Sequence, residues 1–232
     1  MASYLGWIAA QLTALGVVFN VLSDGSISIT QGMLMGTAIV LIYTLFGGMW
    51  SVALTDTFQM AIIVIGLGYL TWLIGDMAGG AGLVISNAAS EGKFTFISSF
   101  EPRDVLAFIG AAVTMMLGSI PQQDVYQRVM SAKNERIASH ATMAGAVFYL
   151  GFCMLPIFLT YAASMIDPAM VKQYLAEDAQ MILPNLILDK TPVFAQVLFF
   201  GALLSAIMST ASGTLLAPSV TFTENVLKRF RP

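Results

Sequence analysis

The chain is short of the side chains that most soluble active sites are built from. It has one cysteine, Cys153, and one histidine, His140, in 232 residues. A single thiol excludes a disulfide framework and a cysteine-based metal site, and a single imidazole excludes a histidine cluster. Charge is scarce too. Only 10% of residues are Asp, Glu, Lys or Arg, where a soluble domain carries about a quarter, so a water-facing surface could not be covered. The net charge of −3 and the lack of a dense basic run leave nothing that would hold nucleic acid. No lysine or arginine precedes the apolar sequence that starts near Tyr4, so the basic start of a cleavable signal peptide is missing. The chain opens almost inside its first apolar run, which gives the expectation of further sequence upstream.

What is present is hydrophobic. Apolar residues make up 57% of the chain and the mean hydropathy is +0.81, a composition that lipid can solvate from outside. A crossing needs about 20 apolar residues. Six segments qualify: 4–22, 29–46, 50–74, 105–125, 137–165 and 192–219. They are too long for strands, and backbone groups in lipid must be satisfied within a helix or a closed barrel. The sequence therefore predicts an all-α polytopic membrane protein with one transmembrane domain over residues 1–232. Ser23–Ser28 and Gly47-Gly48 read as tight turns, and Asp76–Asp104 as a longer loop. Asp167–Thr191 is long enough for two surface helices. Asp167-Pro168 there is an N-cap followed by a proline at the first helical position, and Leu183-Pro184 is expected to interrupt the second helix.

Lysine and arginine placement orients the spans, short loops counting most. Arg128, Lys133 and Arg136 in one connector and Lys228, Arg229 and Arg231 in the tail fall on one side. Lys93, Arg103, Lys172 and Lys190 lie opposite, among acids. Both chain ends are expected to be cytoplasmic.

A few polar residues interrupt the spans. Asp56 is the only carboxylate well inside one, and a charge there costs several kcal/mol (~3 at a helix centre) unless it is paired, hydrated or ion-bound. It is either functional or an interfacial aspartate bonded to nearby backbone. Ser205, Ser209 and Ser212 share one helical face, with Thr210 adjacent. Their oxygens could ligate a hard cation such as Na⁺, or bond back to the preceding turn and line a small-residue seam. Gly118-Ser119-Ile120-Pro121 should break the fourth span, because proline lacks an N–H and clashes with the turn before it. Broken spans are where transporters bind solutes, and Gln122 and Gln123 add hydrogen-bonding groups beside the break. An ordinary kink is the other reading. Asp124 and Arg128 form an i,i+4 pair. Gln11, near Trp7, makes either a helix–helix hydrogen bond or a solute contact.

Three stretches together are similar to the sodium:solute symporter family, which includes proline, sugar, sialic acid and choline carriers. They are Tyr43-Thr44-Leu45-Phe46-Gly47-Gly48-Met49-Trp50-Ser51-Val52 running into Thr55-Asp56-Thr57-Phe58-Gln59, then Gln127-Arg128-Val129-Met130-Ser131-Ala132-Lys133-Asn134, then Ala206-Ile207-Met208-Ser209-Thr210. The resemblance extends over essentially the whole chain. It implies a partial inverted-repeat, LeuT-like bundle: six transmembrane helices equivalent to core helices three to eight, with extracellular surface helices, in the plasma (inner) membrane. On this reading the chain is a fragment or a truncated form whose partners include the missing helices of the same transporter, alongside the lipid bilayer, Na⁺ and a small organic solute. The implied activity is not enzymatic but sodium-coupled symport by alternating access. The alternatives are a transporter-like sensor domain or a non-transporting fragment.

The resemblance also implies a main sodium site at Ala206, Ser209 and Thr210. A second sodium site would use Asp56, Ser209 and Ser212, although Gly213 stands where members having that site carry serine. It implies solute contacts at Gly118, Ser119, Gln122, Trp7 and Gln11. Gly-Ser-Ile-Pro and Trp7 are nearest the choline-carrier branch. That branch has an aromatic residue where Gln122 stands, and aromatic faces hold quaternary ammonium groups. A polar or zwitterionic solute therefore suits this chain better.

Overall fold

The structure is a computed structural model and describes residues 2–95, 100–118, 120 and 122–230. Ten α-helices of eight residues or more dominate, and the described residues contain no strand. They are α1 (Ala2–Leu22), α2 (Ile29–Met77), α3 (Ala81–Ser90), α4 (Pro102–Gly118), α5 (Gln123–Met130), α6 (Glu135–Phe152), α7 (Met154–Ile166), α8 (Pro168–Glu177), α9 (Ile182–Lys190) and α10 (Val193–Phe222). By length and composition α1, α2, the α6–α7 stretch and α10 with its C-terminal extension can each cross a bilayer. The α4–α5 pair, bent by 46°, makes a fifth candidate. The chain divides into two compact units, residues 1–66 with 197–232 and residues 67–196.

In the first unit α2 is not one rod. Its 49 residues would reach about 74 Å if straight, more than twice the hydrocarbon thickness of a bilayer. Gly48 takes φ 51°, ψ −140° inside it, a backbone region essentially reserved for glycine. Tyr43 and Asp56 lie on opposite sides of Gly48, some 20 Å apart on a straight helix. Both nevertheless bond to consecutive residues of α10, Met208 and Ser209. Such a pairing requires the two arms of α2 to fold back on each other at Gly48.

The first arm packs closely on α1. A Cβ added to Gly16 would lie 2.5 Å from the Ile29 carbonyl oxygen, and one added to Gly32 would lie 3.0 Å from the Gly16 backbone. Gly36 sits against Leu15 in the same way. Small residues of this kind let membrane helices approach through their backbones. Within this unit the second arm runs antiparallel to α10: Asp56 meets Ser209, Ile62 lies beside Gly201, and Gly66 approaches Leu198 and Ala202.

In the second unit the segment expected as a loop over Asp76–Asp104 contains a helix, α3. Gly79 and Gly80, at φ 93° and 105°, turn the chain out of α2, and α3 starts at once. Its Ala-rich, half-apolar sequence buries Val84 and Ala88, and Asn87 accepts a 2.5 Å hydrogen bond from the Tyr161 hydroxyl on α7. The Asp167 side chain caps α8 by accepting from the Met170 N–H at 3.0 Å, with Pro168 in the first turn. Pro184 does not interrupt α9. It falls in the first turn, whose N–H groups have no helical partner in any case, and α9 buries Ile182, Leu186 and Ile187.

The fifth apolar segment is interrupted only by a one-residue turn at Cys153, between α6 and α7. Pro156 accounts for the position, since its ring clashes with the carbonyl four residues earlier, at Phe152. Helices α4, α5 and α6 bury none of their described residues.

Candidate functional site

The polar face of α10 lies in the first unit, in the run Ser205 to Thr214. Hydroxyls in an apolar helix usually bond back to the preceding turn, and most here do so. Thr210 Oγ1 donates to the Ala206 carbonyl at 2.9 Å, and Ser212 Oγ to the Ser209 carbonyl at 2.9 Å. Thr214 Oγ1 donates to the Thr210 carbonyl at 2.9 Å. Ser209 departs from the pattern. Its Oγ reaches across to the second arm of α2 and donates to Asp56 Oδ1 at 2.7 Å, the length of a charge-assisted O–H···O⁻ bond. One residue earlier, the Met208 carbonyl accepts from the Tyr43 hydroxyl at 3.1 Å. Ser212 and Thr214 are fully buried and Ser205 nearly so, whereas Asp56, Ser209 and Thr210 are half-buried.

The donor set has a definite chemical character. Each hydroxyl hydrogen named above points at a protein oxygen, so what remains to face a ligand is lone pairs, chiefly those of the Ser209 and Thr210 hydroxyls and of the Asp56 carboxylate, since the Ala206 carbonyl already accepts the Thr210 hydroxyl. An all-oxygen, net negative group of this kind suits a hard cation. No cluster of three or more His, Cys, Asp or Glu that could hold a metal occurs among the described residues.

Of the residues singled out from the sequence, the structure brings together Asp56 with Ser209, Ala206 with Thr210, and Ser209 with Ser212. Gly213 is buried beside them. Trp7 and Gln11 are on α1. Trp7 stacks on Tyr4 with ring centroids 6.1 Å apart, and Gln11 is half-buried. Gly118 and Gln122 belong to the other unit: Gly118 ends α4, and Gln122 is the extended N-cap of α5. Ser119 and Pro121 lie outside the described residues. Asp124 and Arg128 face each other at 3.8 Å.

Three residues of the site region went unweighed in the sequence, where they served only as motif letters. Tyr43 joins the first arm of α2 to α10. Thr44 Oγ1 and Gln59 Oε1 are buried side-chain oxygens without a hydrogen-bond partner among the described residues. Gln59 was legible by spacing, since it stands three residues after Asp56 on the same helical face.

The sequence profile described as "Sodium:solute symporter family" matches residues 2–232. The chain belongs to the sodium:solute symporter family. The chain is 29% identical over 231 residues to the "High-affinity choline transporter 1" of Drosophila melanogaster, covering 96% of the chain and 36% of that protein. The "High affinity choline transporter 1" of Homo sapiens is 28% identical over 229 residues, covering 95% and 38%. The "Sodium/pantothenate symporter" of Haemophilus influenzae is 28% identical over 210 residues, covering 89% and 42%. The chain thus spans about four-tenths of the length of these relatives. They are transporters, not enzymes.

Proposed function

We propose that this chain forms the ion-binding part of a sodium-coupled symporter that moves a small polar or zwitterionic organic solute by alternating access. The observation that carries the reading is the 2.7 Å contact from Ser209 to Asp56, which places a carboxylate against a hydroxyl-bearing face within an apolar helix pair. The main sodium site comprises the Ala206 carbonyl and the Ser209 and Thr210 hydroxyls. A second comprises Asp56, Ser209 and Ser212. Sodium entering from outside would favour the solute-competent state, helped by about 2.3 kcal/mol per charge for each 100 mV of membrane potential.

The remaining features fit this proposal. With α2 folded at Gly48, six crossings with cytoplasmic ends in the plasma membrane agree with the basic residues at 128–136 and 228–231. The solute contacts that the family likeness implies are Gly118, Ser119 and Gln122 in one unit and Trp7 and Gln11 in the other. Gln122 stands at the N-terminus of α5 without capping it, where the positive end of the helix dipole favours a carboxylate or another electron-rich group. Helices supplied by the rest of the transporter would cover α4, α5 and α6, which bury nothing of their own among the described residues.

The test is uptake into proteoliposomes by the full-length encoded protein. Ser209→Ala and Thr210→Ala should each abolish sodium-stimulated uptake while the protein still elutes as a folded species. Undiminished sodium dependence in both overturns the assignment.

A further inference from the structure

We propose that Gln59, with Ser205 facing it, forms an additional cation position one helical turn outward from Asp56, taking a monovalent cation that still carries part of its water. The inference rests on the symporter reading above and extends it to residues that reading does not use.

Gln59 Oε1 is buried and without a hydrogen-bond partner among the described residues. Buried amide oxygens are normally satisfied, and an exception in a native fold calls for an explanation such as an ion or a water. Three contacts set the register between the second arm of α2 and α10: Asp56 at Ser209, Ile62 beside Gly201, and Gly66 at Leu198. The pairing is antiparallel, so the residue three positions beyond Asp56 meets the residue about four positions before Ser209. Gln59 thus comes level with Ser205, which is 7% exposed and one of four buried polar residues described in the chain.

An amide oxygen and a hydroxyl, one on each helix, repeat the chemistry of Asp56 and Ser209 without the charge. Gln59 lies 11 residues past the Gly48 turn, about 16 Å along a helix and near the middle of a 30 Å hydrocarbon layer. Two neutral oxygens cannot replace a whole hydration shell, so the ion there keeps water on its open side. Only the carboxylate one turn inward strips it further. Selection then begins before the charged site is reached.

The full-length protein in proteoliposomes provides the test, with 22Na⁺ uptake measured against sodium and lithium. Gln59→Leu, which keeps the bulk and removes the oxygen, should raise the half-saturating sodium concentration about 10-fold, the lower end of what supporting residues contribute at metal sites. It should also shift the sodium-to-lithium preference, leaving the elution profile and melting temperature unchanged. Gln59→Glu should restore or tighten sodium binding, and Ser205→Ala should weaken it less than Gln59→Leu does. A purely structural glutamine would alter stability but not ion preference, and that result overturns the proposal. So does a change in the solute KM with unaltered sodium dependence, which would assign Gln59 to the solute. If Gln59→Leu is silent while Ser209→Ala abolishes sodium dependence, this proposal alone fails. If Ser209→Ala and Thr210→Ala are both silent, the symporter reading beneath it fails.

Discussion

The α6–α7 stretch and α10 with its C-terminal extension are equally apolar, yet their most apolar windows bury very different shares of their residues. In its most apolar window the α6–α7 stretch buries 6% of its residues, whereas α10 buries 33%. Hydropathy therefore reports the solvent a helix accepts, not the neighbours it has. α6 and α10 are both rich in small residues, so the difference lies in whether a neighbouring helix meets them. α10 carries Ala202, Ser205, Ala211, Ser212, Gly213 and Thr214, small side chains that let α2 come close, and small residues are the usual currency of helix contact in lipid. Along α6, Phe148, Tyr149 and Leu150 point outward, and Gly145 and Gly151 meet nothing within 4 Å.

The strongest way to break this contrast is one substitution made in each unit, at Gly16 on α1 and at Gly145 on α6. Gly16→Ala forces a methyl to 2.5 Å from a backbone oxygen and should cost about 3 kcal/mol, the upper end of overpacking effects, read as a large drop in thermal stability in detergent. Gly145→Ala meets open space and should be neutral or stabilising by up to about 1 kcal/mol through helix propensity. Equal damage at both positions would mean that α6 is as tightly covered as α1.

A smaller effect is expected at Tyr43. Tyr43→Phe removes only the hydroxyl that reaches Met208 and should lose about 1 kcal/mol in chemical denaturation. No loss would show that the fold-back of α2 holds without this tie.

Much of this organisation was legible in the residues. Gly47-Gly48 announced a turn because two helix-weakening glycines interrupt a continuous apolar run. Asp56 announced itself because carboxylates are costly in lipid. The Asp167-Pro168 cap was legible because capping is local, decided by the next three residues. Helix α3 was not, since Ala81–Ser90 is short and only half apolar, and its support is the distant Tyr161 hydroxyl. Pro184 misled for a related reason: a proline breaks a helix interior but suits a first turn, and which one it occupies depends on where α9 begins. The partner of Ser209 could be expected only through the family likeness, because nothing local says that Ser209 reaches across while Ser212 and Thr214 bond within their own helix.

The smallest expected effect lies outside the spans. Asp167 is held below the ordinary aspartate value of 3.8, first by the Met170 N–H it accepts and then by Lys190, against the opposing influence of desolvation. Lys190 stands 3.5 Å away. A carboxyl lowered on folding stabilises the fold above its unfolded value and loses that contribution as pH falls through the folded one. The α8–α9 region should therefore hold constant from neutral pH down to about 4 and loosen below it, as followed by hydrogen exchange. Asp167→Asn should remove that acid sensitivity while keeping a side-chain oxygen for the cap.

The single-residue bend at Gly48 has a mechanical corollary. Two arms that meet at one glycine share only two soft torsions, and both arms are stapled to α10 on neighbouring rungs, at Met208 and Ser209. Turning α10 by one residue, about 100°, would pull both staples at once. At this depth the three helical segments behave as a braced triangle, stiff against twisting.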